Sequence, residues 1–276
     1  MAKRVSIQGQ EASFHAIAAK NYFGNGVSFV PCETFAETFG ALKSGKAEAG
    51  VVAIENSLFG SINEVYDLLL NSGFWISGEI YLRVKQCLIG LPEADIKHIK
   101  EVHSHPVALA QCEEYLDKVL PSAERFEHHD TAGSVESVKN WADPAKAAIA
   151  SAEAAKLHGM KVLADEIETN KQNYTRFVVI EPKETTNKQA DKTSLILGTD
   201  HKPGALYNAL GAFAKHGINL TKLQSRPIAG QAWHYMFYID IDIGTKDSEF
   251  KEVLEELNSQ NCETTVLGSY RAAKQA

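Results

Sequence analysis

The feature that most constrains this chain is a change of rhythm near residue 181. Before it, short apolar runs alternate with helical patterns; after it, a different order of strands and helices begins. Residues 5–8 read as a strand, 11–22 as a helix, 27–31 as a second strand and 49–54 as an apolar strand of the buried, parallel kind. Thr34-Phe35-Ala36-Glu37 and Ser61-Ile62-Asn63-Glu64 read as capping boxes, the second opening a helix to about residue 70. Residues 79–91 read as extended and 99–103 as a strand. Pro106 suits a first helical position, leading a helix over 107–120. Helices over 134–141 and 151–158 flank the apolar run 147–150, and strand character returns at 162–167 and 176–180. Such alternation predicts an α/β body with a parallel-rich sheet.

Residues 181–192 are almost devoid of apolar side chains and carry Pro182, so they read as an exposed linker. Beyond them come a strand at 194–199, a helix at 204–216, strands at 218–226 and 233–242, a helix at 248–259 and a strand at 264–269. That β-α-β-β-α-β order is the ferredoxin-like split βαβ arrangement of a small α+β domain.

Composition narrows the function classes. A net charge of −7 over 276 residues, with no basic run, argues against nucleic acid as a partner. Apolar stretches are broken well short of the ~20 residues that span a bilayer, so no membrane partner is expected. The N-terminus lacks the apolar core and cleavage site of a signal peptide. Cys32, Cys87, Cys112 and Cys262 lie far apart, which fits reduced, partly buried thiols in a cytoplasm. The close histidine pairs, His103/His105 and His128/His129, complete no recognisable metal-ligand spacing, and no metal is expected.

Polar residues gather at strand-to-helix junctions, where open α/β sheets place ligands. Gly9 to Phe14 form one such turn, equally readable as a plain connection. Glu55-Asn56-Ser57 follow an apolar strand and precede a capped helix. Helix amides with the Asn and Ser side chains can hold an anion there without a cation. Ser104 to Cys112, including Gln111, and Asp130-Thr131-Ala132 repeat the theme. A solvated cap explains any one of them; several together suggest a site for a small carboxylate-bearing molecule. Asn173-Tyr174-Thr175-Arg176-Phe177 precede the last body strand with a fork for a carboxylate in Arg176, a hydroxyl donor in Thr175 and an apolar ring in Phe177.

Val52-Ala53-Ile54-Glu55-Asn56-Ser57, Ser104-His105-Pro106, Asp130-Thr131-Ala132 and Asn173-x-Thr175-Arg176-Phe177 resemble, in order, the signature segments of the prephenate dehydratase family. Pro203-Gly204-Ala205-Leu206 and residues 218–227, ending Gln224-Ser225-Arg226-Pro227, resemble the two phenylalanine-binding motifs of an ACT domain. Gln10 stands where that family usually has Pro, Val107 where it has Gln, and Gln224 where it has Glu. The resemblance implies a catalytic domain over 1–182, built of two α/β subdomains similar to type II periplasmic binding proteins. Subdomain 1 would span 1–78 and 163–182, and subdomain 2 would span 79–162. A linker at 183–192 and an ACT domain at 193–276 would follow. With the body starting at residue 3, a fused chorismate mutase is not expected.

The implied activity is decarboxylative dehydration of prephenate to phenylpyruvate in phenylalanine biosynthesis, with arogenate dehydratase or a non-catalytic amino-acid-binding regulator as alternatives. Aromatisation drives the reaction, so no cofactor is called for. Thr175 would assist the departing hydroxyl, with Asn56, Ser104 and Gln111 beside it. Glu55, Ser57, Thr131, Ser151, Arg176 and Phe177 would contact substrate. L-Phenylalanine, the implied effector, would meet Gly204, Ala205, Leu206, Asn219, Leu220, Thr221, Gln224, Ser225, Arg226 and Pro227 in a homo-dimer or homo-tetramer.

Overall fold

The computed structural model describes residues 2–185, 187–228, 230 and 233–274. The chain opens with strand β1 (Lys3–Gln8), helix α1 (Phe14–Phe23), strand β2 (Val27–Cys32), helix α2 (Phe35–Lys43) and strand β3 (Ala49–Asn56). Strand β4 (Gly60–Ser61) folds back onto β3, and helix α3 (Asn63–Ser72) and strand β5 (Trp75–Arg83) follow. Next come β6 (Cys87–Gly90), β7 (Glu101–Ser104), α4 (Pro106–Gln111), α5 (Glu113–Val119) and β8 (Glu124–Glu127). Helix α6 (Thr131–Trp141), strand β9 (Lys146–Ala150), helix α7 (Ala152–His158), β10 (Lys161–Ala164) and β11 (Tyr174–Glu181) complete the α/β body. The tail consists of β12 (Lys192–Gly198), α8 (Ala205–Lys215), β13 (Leu220–Pro227), β14 (Tyr235–Ile241), α9 (Ser248–Ser259) and β15 (Glu263–Tyr270).

Three sheets result. The first is ordered β2-β1-β3-β11-β5 with β4 on β3, and β1 runs parallel to both β2 and β3. Val5, Ile7, Val51 and Val52 are fully buried, as expected of strands covered on both faces. The second sheet is ordered β10-β6-β9-β7-β8, with Leu88, Val102, Leu116 and Ile149 in its core. The third, β13-β14-β12-β15, is antiparallel and has the strand order of a split βαβ unit. Helices α8 and α9 bury Phe213, Phe250, Val253 and Leu257 in the same cluster as Leu195, Leu197 and Ile239 of that sheet. The described residues form two compact units, one of 2–65 with Ile80–Phe177, the other of Tyr66–Glu79 with Val178–Lys274. Helix α3 and strands β5 and β11 pass from one unit into the other.

Several expectations are corrected by local physics. Helix α1 begins at Phe14, not residue 11, because Gly9 (φ +84°) and Ala12 (φ +69°) turn the chain first. Ser13 then caps the helix by accepting from the Ala16 N–H at 3.3 Å. The capping box at Thr34 is half-formed: Thr34 Oγ1 accepts from Glu37 N–H at 3.1 Å, but the Glu37 carboxylate takes the Glu33 N–H, at 2.9 Å, instead of that of Thr34. At the second box Ser61 is paired with Glu55 in β4, and α3 starts at Asn63, two residues later than the box placed the cap. The helix expected over 107–120 is broken at Cys112, whose buried bridge-region backbone (φ −107°, ψ 10°) divides α4 from α5.

Residues 79–91 are likewise two strands, interrupted at Val84–Gln86 where the chain leaves the first sheet for the second. The chain therefore leaves the first sheet after Arg83 and the second after Ala164. Strand β8 has no apolar run to announce it; Glu124–Glu127 is an exposed edge strand parallel to β7. Lys192, expected in the exposed linker, is a buried residue of β12 paired with the buried Glu79 at 3.0 Å.

Candidate active site

The 2–65 and 80–177 unit holds a cavity of about 430 Å³. Helix starts converge on it: Ser13 and Phe14 at α1, His105, Val107 and Ala108 at α4, Asp130 and Thr131 at α6. Their end amides direct partial positive charge inward. Phe35 and Ala53 add apolar wall, and Gly60, Ser61 and Ile62 line it just before α3. No lysine or arginine is among the lining residues described. What the cavity offers an anion is neutral donors and helix ends.

Thr175 and Phe177 reach the cavity from β11, and strand alternation sends Arg176, between them, to the other face. Arg176 is buried and is not among the residues that line the cavity. Asn56 lines the cavity at the end of β3. Its Nδ2 donates to Thr175 Oγ1 at 3.0 Å, to Asn173 Oδ1 at 2.9 Å and to the Tyr174 carbonyl at 3.2 Å. Its Oδ1 accepts from the Leu58 and Phe59 N–H groups, at 2.9 and 3.1 Å, which orients the amide. Thr175 Oγ1 therefore acts as an acceptor toward Asn56 and keeps its own O–H for a group in the cavity.

Gln111 lines the wall beside Gln86, whose Nε2 donates to Gln111 Oε1 at 3.0 Å. Gln86 Oε1 is buried with no hydrogen-bond partner, an acceptor for a polar group entering the cavity. Thr131 is also in the wall. The other expected contacts serve the scaffold. Ser104 is fully buried off the cavity, its hydroxyl donating to the Ile149 carbonyl at 2.6 Å. Ser151 caps α7 and donates to the Ala12 carbonyl at 2.8 Å. Ser57 donates to the Gln172 carbonyl at 2.8 Å and accepts from the Tyr174 N–H at 2.9 Å. Glu55 is paired in register with Ser61 and does not line the cavity.

Sequence reasoning missed His15, Phe35 and Gln86. A histidine one residue into a helix on an apolar face carries no local signal, and Gln86 was hidden inside an apparent strand. His15 Nε2 accepts from the Ala53 N–H at 3.2 Å, so its proton sits on Nδ1. Its ring meets Phe177 edge-on at 5.0 Å and Phe35 at 5.7 Å. Burial holds its pKa down at about 3, so the ring is neutral at ordinary pH. His105 is also held below the usual histidine value by burial, with Asp130 and Glu127 pulling the other way.

The profile of the prephenate dehydratase family matches residues 5–185, and that of the ACT domain matches 193–259. The chain belongs to the prephenate dehydratase family. It is 37% identical over 270 residues to a bifunctional chorismate mutase/prephenate dehydratase of Aquifex aeolicus, covering 98% of this chain and 74% of that one. It is 36% identical over 283 residues to arogenate dehydratase 2 of Petunia hybrida, covering 97% and 71%. Among solved structures, the prephenate dehydratase of Arthrobacter aurescens in complex with L-Phe superposes with a TM-score of 0.86 at 29% identity, covering 97% and 89%. A structure described as a quorum-quenching acylase, GqqA, gives 0.89 at 32% identity, covering 98% of each chain.

The ACT-bearing unit holds a second cavity, of about 300 Å³. Ala205 and Leu206 line it at the start of α8, and Gly204 adopts the left-handed backbone (φ +83°) that opens the helix. Asp200, Lys202, His201 and His234, none singled out from sequence, complete its polar wall. Lys202 Nζ donates to Asp200 Oδ2 at 2.6 Å, and the two imidazoles lie 4.7 Å apart. The second expected motif lies elsewhere: Asn219, Leu220, Thr221, Gln224, Ser225, Arg226 and Pro227 do not line this cavity. Asn219 Nδ2 donates to Asp242 Oδ2 at 2.9 Å, and Arg226 forks onto Asp67 at 2.6 and 3.2 Å.

Proposed function

We propose that the first cavity converts prephenate to phenylpyruvate, releasing water and carbon dioxide. The observation that carries the residue roles is the Asn56 Nδ2 to Thr175 Oγ1 hydrogen bond of 3.0 Å, which leaves the threonine proton as a donor toward the ring hydroxyl. A threonine is a feeble acid in water. Its contribution comes from a fixed position in a site where competing water is scarce. The Phe35 and Phe177 rings lower the local polarity and favour loss of carboxylate charge as carbon dioxide. The helix start at α1 holds a substrate carboxylate, and Gln111, Gln86 and Thr131 orient its polar groups.

L-Phenylalanine is the effector in this reading. It enters the second cavity at Ala205 and Leu206, with the Gln224-Ser225-Arg226-Pro227 segment supplied by a second copy in a homo-dimer or homo-tetramer. Effector control requires that phenylalanine bind one conformation of that oligomer better than another. Among the described residues no helix is long and apolar enough to cross a membrane. The four cysteines are free and buried. Both fit work in a reducing cytoplasm.

The Petunia relative supports arogenate as a second substrate reading. A side-by-side assay of both substrates, following the ultraviolet absorbance of phenylpyruvate or the appearance of phenylalanine, tests the proposal. Turnover of prephenate with the higher kcat/KM is expected. No turnover of either substrate ends the dehydratase reading.

A further inference from the structure

We infer that His15 reads the α-keto oxygen of the substrate through its Nδ1–H and so selects the keto acid over its amino analogue; this rests on the dehydratase reading above. The ring is locked. His15 lines the cavity, and the Ala53 N–H occupies its Nε2 at 3.2 Å, leaving Nδ1–H as a donor that meets no acceptor among the described residues. Phe35 and Phe177 border the ring and offer no carboxylate. A neutral donor in such surroundings pairs with a carbonyl oxygen. Facing an α-ammonium, it meets another donor, and both are left unsatisfied.

Position supports the same assignment. Thr175 and Phe177 lie two residues apart on one face of β11, and His15 meets the Phe177 ring edge. The leaving hydroxyl and the side-chain carbonyl stand at opposite ends of the substrate ring. With Thr175 at the hydroxyl, a ring packed against Phe177 brings the other end to His15. Other polar side chains at the helix starts are committed to caps. Ser13 caps α1 and Asp130 caps α6, by accepting from Gly133 N–H at 2.7 Å. His105 Nδ1 accepts from the Val107 N–H at 3.2 Å, capping α4.

The test compares kcat/KM for prephenate and arogenate in the parent, His15→Gln and His15→Met. Glutamine keeps an acceptor for Ala53 and a donor for the cavity; methionine keeps volume alone. The parent is expected to prefer prephenate, His15→Gln to hold that ratio within about threefold, and His15→Met to lower it about tenfold or more. A folded His15→Met protein with an unchanged ratio overturns the inference, as does a parent that prefers arogenate while remaining an active dehydratase. Should His15→Met fail to fold, ¹⁵N-histidine spectra of the parent decide. One neutral Nδ1–H ring that shifts on adding phenylpyruvate supports the assignment, and a ring indifferent to phenylpyruvate overturns it. A parent that turns over neither substrate sinks the dehydratase reading itself, and the inference with it.

Discussion

The two cavities present walls of opposite character. The first is lined by aromatic rings, amide side chains, hydroxyls, helix ends and His15, His105 and His129, with Asp130 as its acidic member and no lysine or arginine among the described residues. The second carries Asp200 and Lys202 with two histidines, a wall of both charges. A zwitterionic amino acid is matched by paired opposite charges. A dianion that must shed a carboxylate charge is not, because a strong fixed cation stabilises the ground state being lost as well as binding it. On the proposed reading, charge separates binding that must be reversible from binding that must lead on to chemistry.

The largest expected effect tests the chemical half of that contrast. Thr175→Ala should lower kcat by about 10²–10³-fold with substrate affinity little changed, measured by phenylpyruvate formation; near-parental turnover would remove Thr175 from the reaction. Asn56→Ala should cost less, about tenfold to 10²-fold in kcat, because the hydroxyl survives but loses its orientation. The converse experiment addresses the charged cavity. Lys202→Ala should weaken phenylalanine binding about tenfold by calorimetry, the loss of one charge-assisted contact, and leave uninhibited kcat unaltered. A change confined to kcat would mean that the contrast between the cavities is misdrawn.

Smaller effects sharpen it. The folded state holds His15 at about 3 against an ordinary 6.5, so below 6.5 the unfolded chain takes up a proton that the folded one refuses. Its contribution lowers stability as pH falls from 6.5 toward 3. His15→Gln should therefore give a shallower fall of Tm between pH 7 and 4 than the parent, and an identical slope would show that the ring titrates normally. Arg226→Ala removes an exposed ion pair with Asp67 and should change folding stability by less than about 1 kcal/mol in urea unfolding.

The architecture was largely legible because periodicity reports burial directly. The apolar run in β3, the amphipathic α9 over Ser248–Ser259 and the switch of rhythm after residue 181 each state which face meets a core. The site was legible in part. Asn56, Gln111, Thr131, Thr175 and Phe177 were named from polar residues at strand ends, and all line the cavity. Ser104, Ser151, Ser57 and Arg176 came from the same kind of signal and instead serve the scaffold or lie on another face. A hydroxyl at a helix start has two uses, capping its own helix or facing a ligand, and the letter code is the same for both.

What the sequence by itself determined is the order of strands and helices, the break between body and tail, and the family to which the chain belongs. Only the tertiary structure decided which strand face each residue of 175–177 occupies, that His15 and Gln86 join the wall, and that Thr175 faces the cavity with its proton free. The physical reason is range. Secondary structure follows from neighbours a few residues apart, whereas the bond from residue 56 to residue 175 joins strand ends that only the folded sheet brings together.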